Sequence, residues 1–274
     1  MNRACPVILV ALSHWIVAVH SSAAEPRRPL VVAHRGLLIH APENTLANFR
    51  ACLELRCGFE FDVQRTKDRE LIRIHDDTLE RTTSGKGPVA ETSLAEIQKL
   101  DAGSWFDASF AGERVPTVEE VLGLIAEHRQ RVGLICVDLK AEGVEQDVVR
   151  LAEKHGVLDK LLLIGRAVSE PTVRRALREA SPKVHVAALA GKPEELALAI
   201  ADADSDWVYL RYVPTAEEVA TVHRSGKRTF VAGTTVSGNV PANWQKAATA
   251  GLDGILTDYP LELQALLRAA EAKK

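Results

Sequence analysis

Residues 58–75 run GFEFDVQRTKDRELIRIH. Phe59, Phe61 and Val63 alternate with Glu60 and Asp62, a period of two that predicts a strand with its apolar side chains on one face and both carboxylates on the other. A second apolar run, 71–75, follows after a polar segment centred on Lys67, Asp68 and Arg69. That segment is too short for a helical crossover, so the pair predicts a hairpin. Paired residue numbers in a hairpin sum to about twice the turn centre, which brings His75 roughly level with Glu60 and Asp62.

Moving outward from this hairpin, seven more short β-branched runs occur at 30–34, 133–139, 161–165, 184–189, 207–211, 228–233 and 253–258. Most are separated by segments of helical period, the signature of parallel βα units. Ser93 to Glu96, Thr117 to Glu120 and Thr215 to Glu218 each fit the S/T-x-x-E capping box. Val118, Val121, Leu122 and Ile125 show the apolar spacing of an amphipathic helix behind the second box. Nine candidate strands, one pair of them a hairpin, predict an α/β fold: a (β/α)8 TIM-type barrel with a small insertion, about 77–115, after the early hairpin. A doubly wound open sheet is the alternative, but the glycine-rich phosphate loop that often marks it is not present.

The chain has 274 residues, 46% hydrophobic and 26% charged, enough to bury the core of one large domain. A net charge of −3 without a basic stripe gives no nucleic-acid footprint. Residues 1–24 predict a signal peptide, with Arg3, an apolar stretch over 5–19, and Ser22, Ala23 and Ala24 suiting cleavage after Ala24. That stretch holds His14 and is shorter than the ~20 apolar residues of a spanning helix. The expectation is an exported protein, periplasmic or secreted, with no stable membrane span after cleavage and one catalytic domain over 29–274. The three cysteines beyond the leader, Cys52, Cys57 and Cys136, are too sparse for a disulfide framework. Buried thiols are expected, with a Cys52 to Cys57 bridge as the alternative. The sequence does not fix the oligomeric state.

His34, Arg35 and Gly36 close an apolar strand, where barrel enzymes keep their active sites. A guanidinium fork can take two phosphate oxygens, and an imidazole can shuttle a proton near neutral pH. Glu60 and Asp62 on one strand face call for a cation. Asp138 and Lys140 repeat the i, i+2 arrangement, adding a third carboxylate and a cation that could hold a phosphate oxygen. Each group alone reads as an ion pair or a core histidine. Together they are costly to bury unless a metal or ligand compensates them.

These residues also carry a resemblance to the glycerophosphodiester phosphodiesterase family. It runs through AHRGLLIHAPENTLANF (33–49), GFEFDVQRTKDRELIRIHDDTLERTT (58–83) and GSWFDASFAGERVPTVEEVL (103–122), and resumes at VDLK (137–140) and GLDGILTDYP (251–260). The resemblance implies a phospholipase-like TIM barrel. It implies His34 and His75 as general acid and base; Glu60, Asp62 and Asp138 as ligands of one divalent metal ion, Ca2+ or Mg2+; and Arg35 and Lys140 as phosphate contacts. Glu43, in PENT, would orient the site or touch substrate. The family usually has glutamate where this chain has Asp138, shorter by one carbon bond, about 1.5 Å. It also typically carries a tryptophan-threonine pair where this chain has Gly233, Thr234 and Thr235.

The expected activity is metal-dependent hydrolysis of a small-molecule glycerophosphodiester to an alcohol and glycerol phosphate, with a bell-shaped pH profile from the two histidines. Two other readings fit the same residues. One is phospholipase D-like or lyase cleavage of phospholipid or lysophospholipid headgroups, giving a cyclic phosphate. The other is a catalytically silent phosphate-ligand binding protein, suggested by Asp138 and the segment at Gly233. Asp258, ending the last candidate strand, can either reach the site or cap the helix after Pro260. Trp105, Phe106 and Phe110 are expected to pack the insertion onto the barrel.

Overall fold

The computed structural model describes residues 28–233 and 240–272. The leader and Thr234 and Thr235 lie outside them. Among the described residues, nine strands form in chain order: β1 Leu30–Ala33, β2 Gly58–Arg65, β3 Leu71–Ile72, β4 Ile135–Leu139, β5 Leu161–Gly165, β6 His185–Ala190, β7 Trp207–Leu210, β8 Arg228–Val231 and β9 Gly254–Thr257. The helices are α1 Leu46–Glu54, α2 Leu94–Ile97, α3 Val118–Glu127, α4 Glu145–Lys154, α5 Arg166–Ser169, α6 Pro171–Ala180, α7 Leu196–Ala201, α8 Ala216–Arg224, α9 Pro241–Ala250 and α10 Pro260–Glu271. All three expected capping boxes are present, opening α2, α3 and α8.

Eight parallel strands close into a ring in the order β1-β2-β4-β5-β6-β7-β8-β9, with β9 pairing back onto β1. This is the TIM-type barrel that the strand and helix alternation predicted. The hairpin is also present: β3 runs antiparallel to the end of β2. Its ladder is shorter than the apolar pattern suggested, with only Gln64↔Ile72 and Arg65↔Leu71 paired. Arg73, Ile74 and His75 leave the ladder because Ile72 bridges to Thr117 and the Arg73 amide donates to the Pro116 carbonyl.

The period of two along β2 sorts its side chains as expected. Phe59, Phe61 and Val63 join the layer between barrel and helices, where the Phe49 ring of α1 stacks on Phe59 at 4.2 Å. Glu60 and Asp62 point the other way, into the barrel. The barrel interior below them is apolar, built from Val32, Cys136, Leu162, Trp207, Phe230 and their neighbours.

The insertion has a small core of its own: Leu79, Val89, Ile97, Ala102 and Val115 pack against Ile72 and Ile74. Trp105, Phe106 and Phe110 are not part of that cluster. They meet edge to face at 5.7 Å for each successive pair, and Trp105 is 40% exposed. Cys52, Cys57 and Cys136 are buried free thiols, so the Cys52 to Cys57 bridge is not formed. Gln264 donates to the Cys57 sulfur instead.

Candidate active site

The mouth is organised by strand register. Asp62 on β2 lies directly beside Asp138 on β4, and Glu60 sits two residues below on the same face. Oxygens of Glu60, Asp62 and Asp138 all lie within 4.8 Å of one another, so the shorter Asp138 side chain still reaches the cluster. Glu60 and Asp62 are each 1% exposed. Burial, then the charges of Asp62 and Asp138, push the Glu60 carboxyl well above its usual range. Burial and Asp62 likewise raise Asp138, although Lys140 pulls the other way.

Glu60 Oε1 and Asp138 Oδ1 are buried and accept no hydrogen bond. Buried carboxylate oxygens without donors are costly unless a cation compensates them. A close set of all-oxygen ligands suits a hard divalent ion such as Ca2+ or Mg2+. The three residues therefore fit a metal.

Room for Asp138 depends on a glycine. Gly165, at the end of β5, has φ +72°, and a Cβ there would come within 2.1 Å of Asp138 Oδ1. The β1 turn is similarly shaped. Arg35 takes φ +52°, held by its amide donating to Glu60 Oε2 at 2.9 Å. Gly36 follows at φ +81°, against the Asn48 amide that accepts from the Leu37 N–H.

The cations expected to meet phosphate are tied to carboxylates. Lys140 Nζ donates to Asp138 Oδ2 at 2.9 Å and lies 3.3 Å from Asp62. Burial lowers its pKa, but Asp138 and Asp62 more than reverse the effect, so the ammonium is strongly held. Arg35 donates to Glu43 Oε1 at 3.1 Å and lies 3.7 Å from Asp62. Glu43 thus holds the Arg35 side chain, and its other oxygen accepts from Arg81. Burial raises the Glu43 carboxyl, yet the hydrogen bond from Arg81 and the charges of Arg35 and Arg81 outweigh it and hold it below the usual range.

Each candidate histidine has its Nδ1 on a carboxylate. His34 Nδ1 is 2.7 Å from Asp258 Oδ1, and His75 Nδ1 is 2.8 Å from Asp76 Oδ1. Such pairing fixes the ring and leaves Nε2 for proton transfer. Of the two roles open to Asp258, the structure shows the carboxylate on His34, while the N-cap of α10 is Tyr259. Asp76 is gripped by Arg81 at 2.6 Å, and that hydrogen bond, with His75 behind it, holds its carboxyl far below the usual range despite burial. Although the hairpin ladder stops short of it, His75 still comes within electrostatic reach of Asp138.

Four residues had no distinct signal in the sequence. Asn44, in PENT, donates to Asp62 Oδ2 at 2.9 Å and accepts from the Asp62 N–H. Arg73 is 1% exposed, its guanidinium 4.2 Å from the Phe49 ring centre and 4.4 Å from that of Phe61. Burial lowers its pKa to about 9, with Asp62 and Glu60 opposing. Tyr209 and Arg211 line a cavity of about 170 Å³ together with His34, Glu60, Asp138 and Gly233.

Such a mouth is equipped to neutralise an anion and move two protons beside it, which places the chain among the TIM-barrel hydrolases of phosphoric esters. Comparison with known proteins narrows the class. The chain belongs to the Glycerophosphoryl diester phosphodiesterase family, whose sequence profile matches residues 34–262. A glycerophosphodiester phosphodiesterase from Caldanaerobacter subterraneus is 33% identical over 88% of this chain and 98% of its own length. The crystal structure of a glycerophosphodiester phosphodiesterase from Agrobacterium tumefaciens superposes with a TM-score of 0.75, at 27% identity over 86% of this chain and 99% of that one. An Oleispira antarctica phosphodiesterase, solved with the product sn-glycerol-3-phosphate, gives a TM-score of 0.73 at 26% identity, covering 88% and 97%. Family and fold support the hydrolysis of glycerophosphodiesters.

Proposed function

We propose that this protein hydrolyses a glycerophosphodiester to an alcohol and glycerol phosphate, using His34 and His75 as acid and base beside one divalent cation held by Glu60, Asp62 and Asp138. The observation that carries the reading is the pair of buried oxygens, Glu60 Oε1 and Asp138 Oδ1, without hydrogen bonds in a three-carboxylate cluster flanked by histidines fixed at Nδ1. A bound Ca2+ or Mg2+ supplies Lewis-acid neutralisation of charge on the phosphoryl oxygens.

The chain's own residues do the rest. Arg35 and Lys140, preset by Glu43, Asp62 and Asp138, present N–H donors to the phosphate. With Nδ1–H donated to its carboxylate, a neutral imidazole offers the Nε2 lone pair to a proton of the water that attacks phosphorus. A protonated one offers Nε2–H to the leaving alcohol oxygen, so one ring of each form is required and the rate peaks between two pKa values. Asp258 and Asp76 keep the rings aimed; they are positioning residues. The product named in the Oleispira antarctica complex supports glycerol phosphate as the released half.

Phosphorus NMR of glycerophosphoethanolamine turnover tests the reading. Glycerol phosphate as the first phosphorus product is expected. Cyclic glycerophosphate accumulating as the end product would move the protein to lyase chemistry. Metal-dependent substrate binding with no product would make it a binding protein. Export is part of the same proposal, resting on Arg3, the apolar stretch 5–19 and the small residues before Glu25; among the described residues no helix is long and apolar enough to cross a membrane.

A further inference from the structure

This inference rests on the proposed function and concerns which diester the mouth prefers. The ring order places β7 four strands from β2 in either direction, so Arg211, the residue following β7, stands across the mouth from Glu60 and Asp62. It lines the same cavity as His34, Glu60 and Asp138. Its guanidinium lies 5.9 Å from the Tyr209 ring centre, close enough for the aromatic face to steady it.

The other cations of the mouth are committed. Arg35 ends on Glu43 and Asp62, Lys140 on Asp138 and Asp62, and Arg81 on Asp76 and Glu43. Arg211 is exposed and has no carboxylate within ion-pair distance among the described residues. A phosphate held at the carboxylate cluster leaves the rest of the substrate free to extend across the mouth. We infer that Arg211 receives an anionic substituent, a carboxylate or second phosphate, on the alcohol half of the diester, and so favours anionic headgroups over cationic ones.

The planar fork of an arginine suits either anion as a bidentate partner. Because the group is exposed, one such contact is worth roughly 2–5-fold in kcat/KM rather than the larger factors of a buried pair. Most of it should appear in KM, since the contact is remote from the reacting phosphorus and forms equally in ground and transition states.

Glycerophosphoserine and glycerophosphoethanolamine differ by one carboxylate and form the test pair. The wild type is expected to favour the serine diester by roughly 2–5-fold in kcat/KM. Arg211→Met should bring the ratio towards one, Arg211→Lys should retain part of the preference, and Arg211→Glu should invert it. A wild-type ratio near one, or a ratio unchanged in Arg211→Met, would overturn the inference while leaving the hydrolytic reading standing. Equal losses on both diesters in Arg211→Met would also overturn it, by assigning Arg211 to the shared phosphate or glycerol. No hydrolysis of either diester by the wild type overturns the functional reading and the inference with it.

Discussion

Asn44 offers a substitution whose backbone and side-chain effects can be separated. Its amide donates to Asp62 Oδ2 at 2.9 Å and accepts from the Asp62 N–H at 3.3 Å, and the residue itself sits at φ +60° with 4% exposure. Asn44→Gly removes both hydrogen bonds, and the longer one that Asn44 Oδ1 accepts from Arg73 at 3.4 Å, but keeps a residue at ease in the left-handed region; Asn44→Ala removes the same bonds and adds strain there. A lost hydrogen bond to a buried carboxylate costs about 1.5–3 kcal/mol, and a buried amide left unpaired about 1–3 kcal/mol. Together they predict roughly 3–5 kcal/mol of destabilisation in either variant after some overlap. Alanine in the left-handed region costs about 1–2 kcal/mol more. Glycine gives back about 0.4–1 kcal/mol of that through the unfolded chain, so Asn44→Gly should be the more stable by roughly 0.5–1 kcal/mol. Urea unfolding in EDTA, followed by tryptophan fluorescence, reads this ordering. A calorimetric metal isotherm reads the second effect: Asp62 freed of its partner should weaken Ca2+ or Mg2+ binding by about 10–100-fold in both variants alike. Affinity within twofold of wild type would refute the claim that Asn44 orients a ligand. An alanine variant more stable than the glycine one would refute the backbone argument.

Three further outcomes are expected. His34→Ala and His75→Ala should each lower kcat by about 10² to 10⁴ while leaving the melting temperature close to wild type; near wild-type turnover by either folded variant contradicts the acid-base assignment. The Glu60 carboxyl, raised by burial and by Asp62 and Asp138, stabilises the metal-free fold fully below its unfolded pKa, and that contribution is lost as pH rises through the folded value. Glu60→Gln should therefore gain stability relative to wild type as pH rises above the ordinary carboxylate range in EDTA. A melting-temperature difference that is flat with pH would count against the buried charge cluster. Gly165→Ala meets both a left-handed φ and an oxygen of Asp138, so it should cost more than about 1–3 kcal/mol and weaken metal binding, whereas an unperturbed isotherm would show that Asp138 is not a ligand.

The barrel was legible because its cues are local. Two-residue alternation assigned Glu60 and Asp62 to one face and Phe59, Phe61 and Val63 to the other, and capping boxes located three helix starts. The site's supporting contacts were less legible because closure of the ring creates them. His34 and Asp258 are 224 residues apart in sequence and meet only because β9 pairs with β1. Asp76 adjoins His75, yet nothing in the dipeptide says that Arg81 will lock it. Arg73 reads as a polar residue in an alternating strand, but it is buried with its guanidinium against the rings of Phe49 and Phe61. The short ladder of β3 was unreadable for a related reason: Thr117, across the whole insertion, competes for Ile72.

The central claim is that the three-carboxylate cluster works through a divalent cation. Its most direct test is the initial rate of glycerophosphoethanolamine hydrolysis by the wild-type protein in excess EDTA and after stepwise return of Ca2+ or Mg2+. The rate should vanish on chelation and recover with saturation as one equivalent binds. Full activity in excess EDTA would contradict the account.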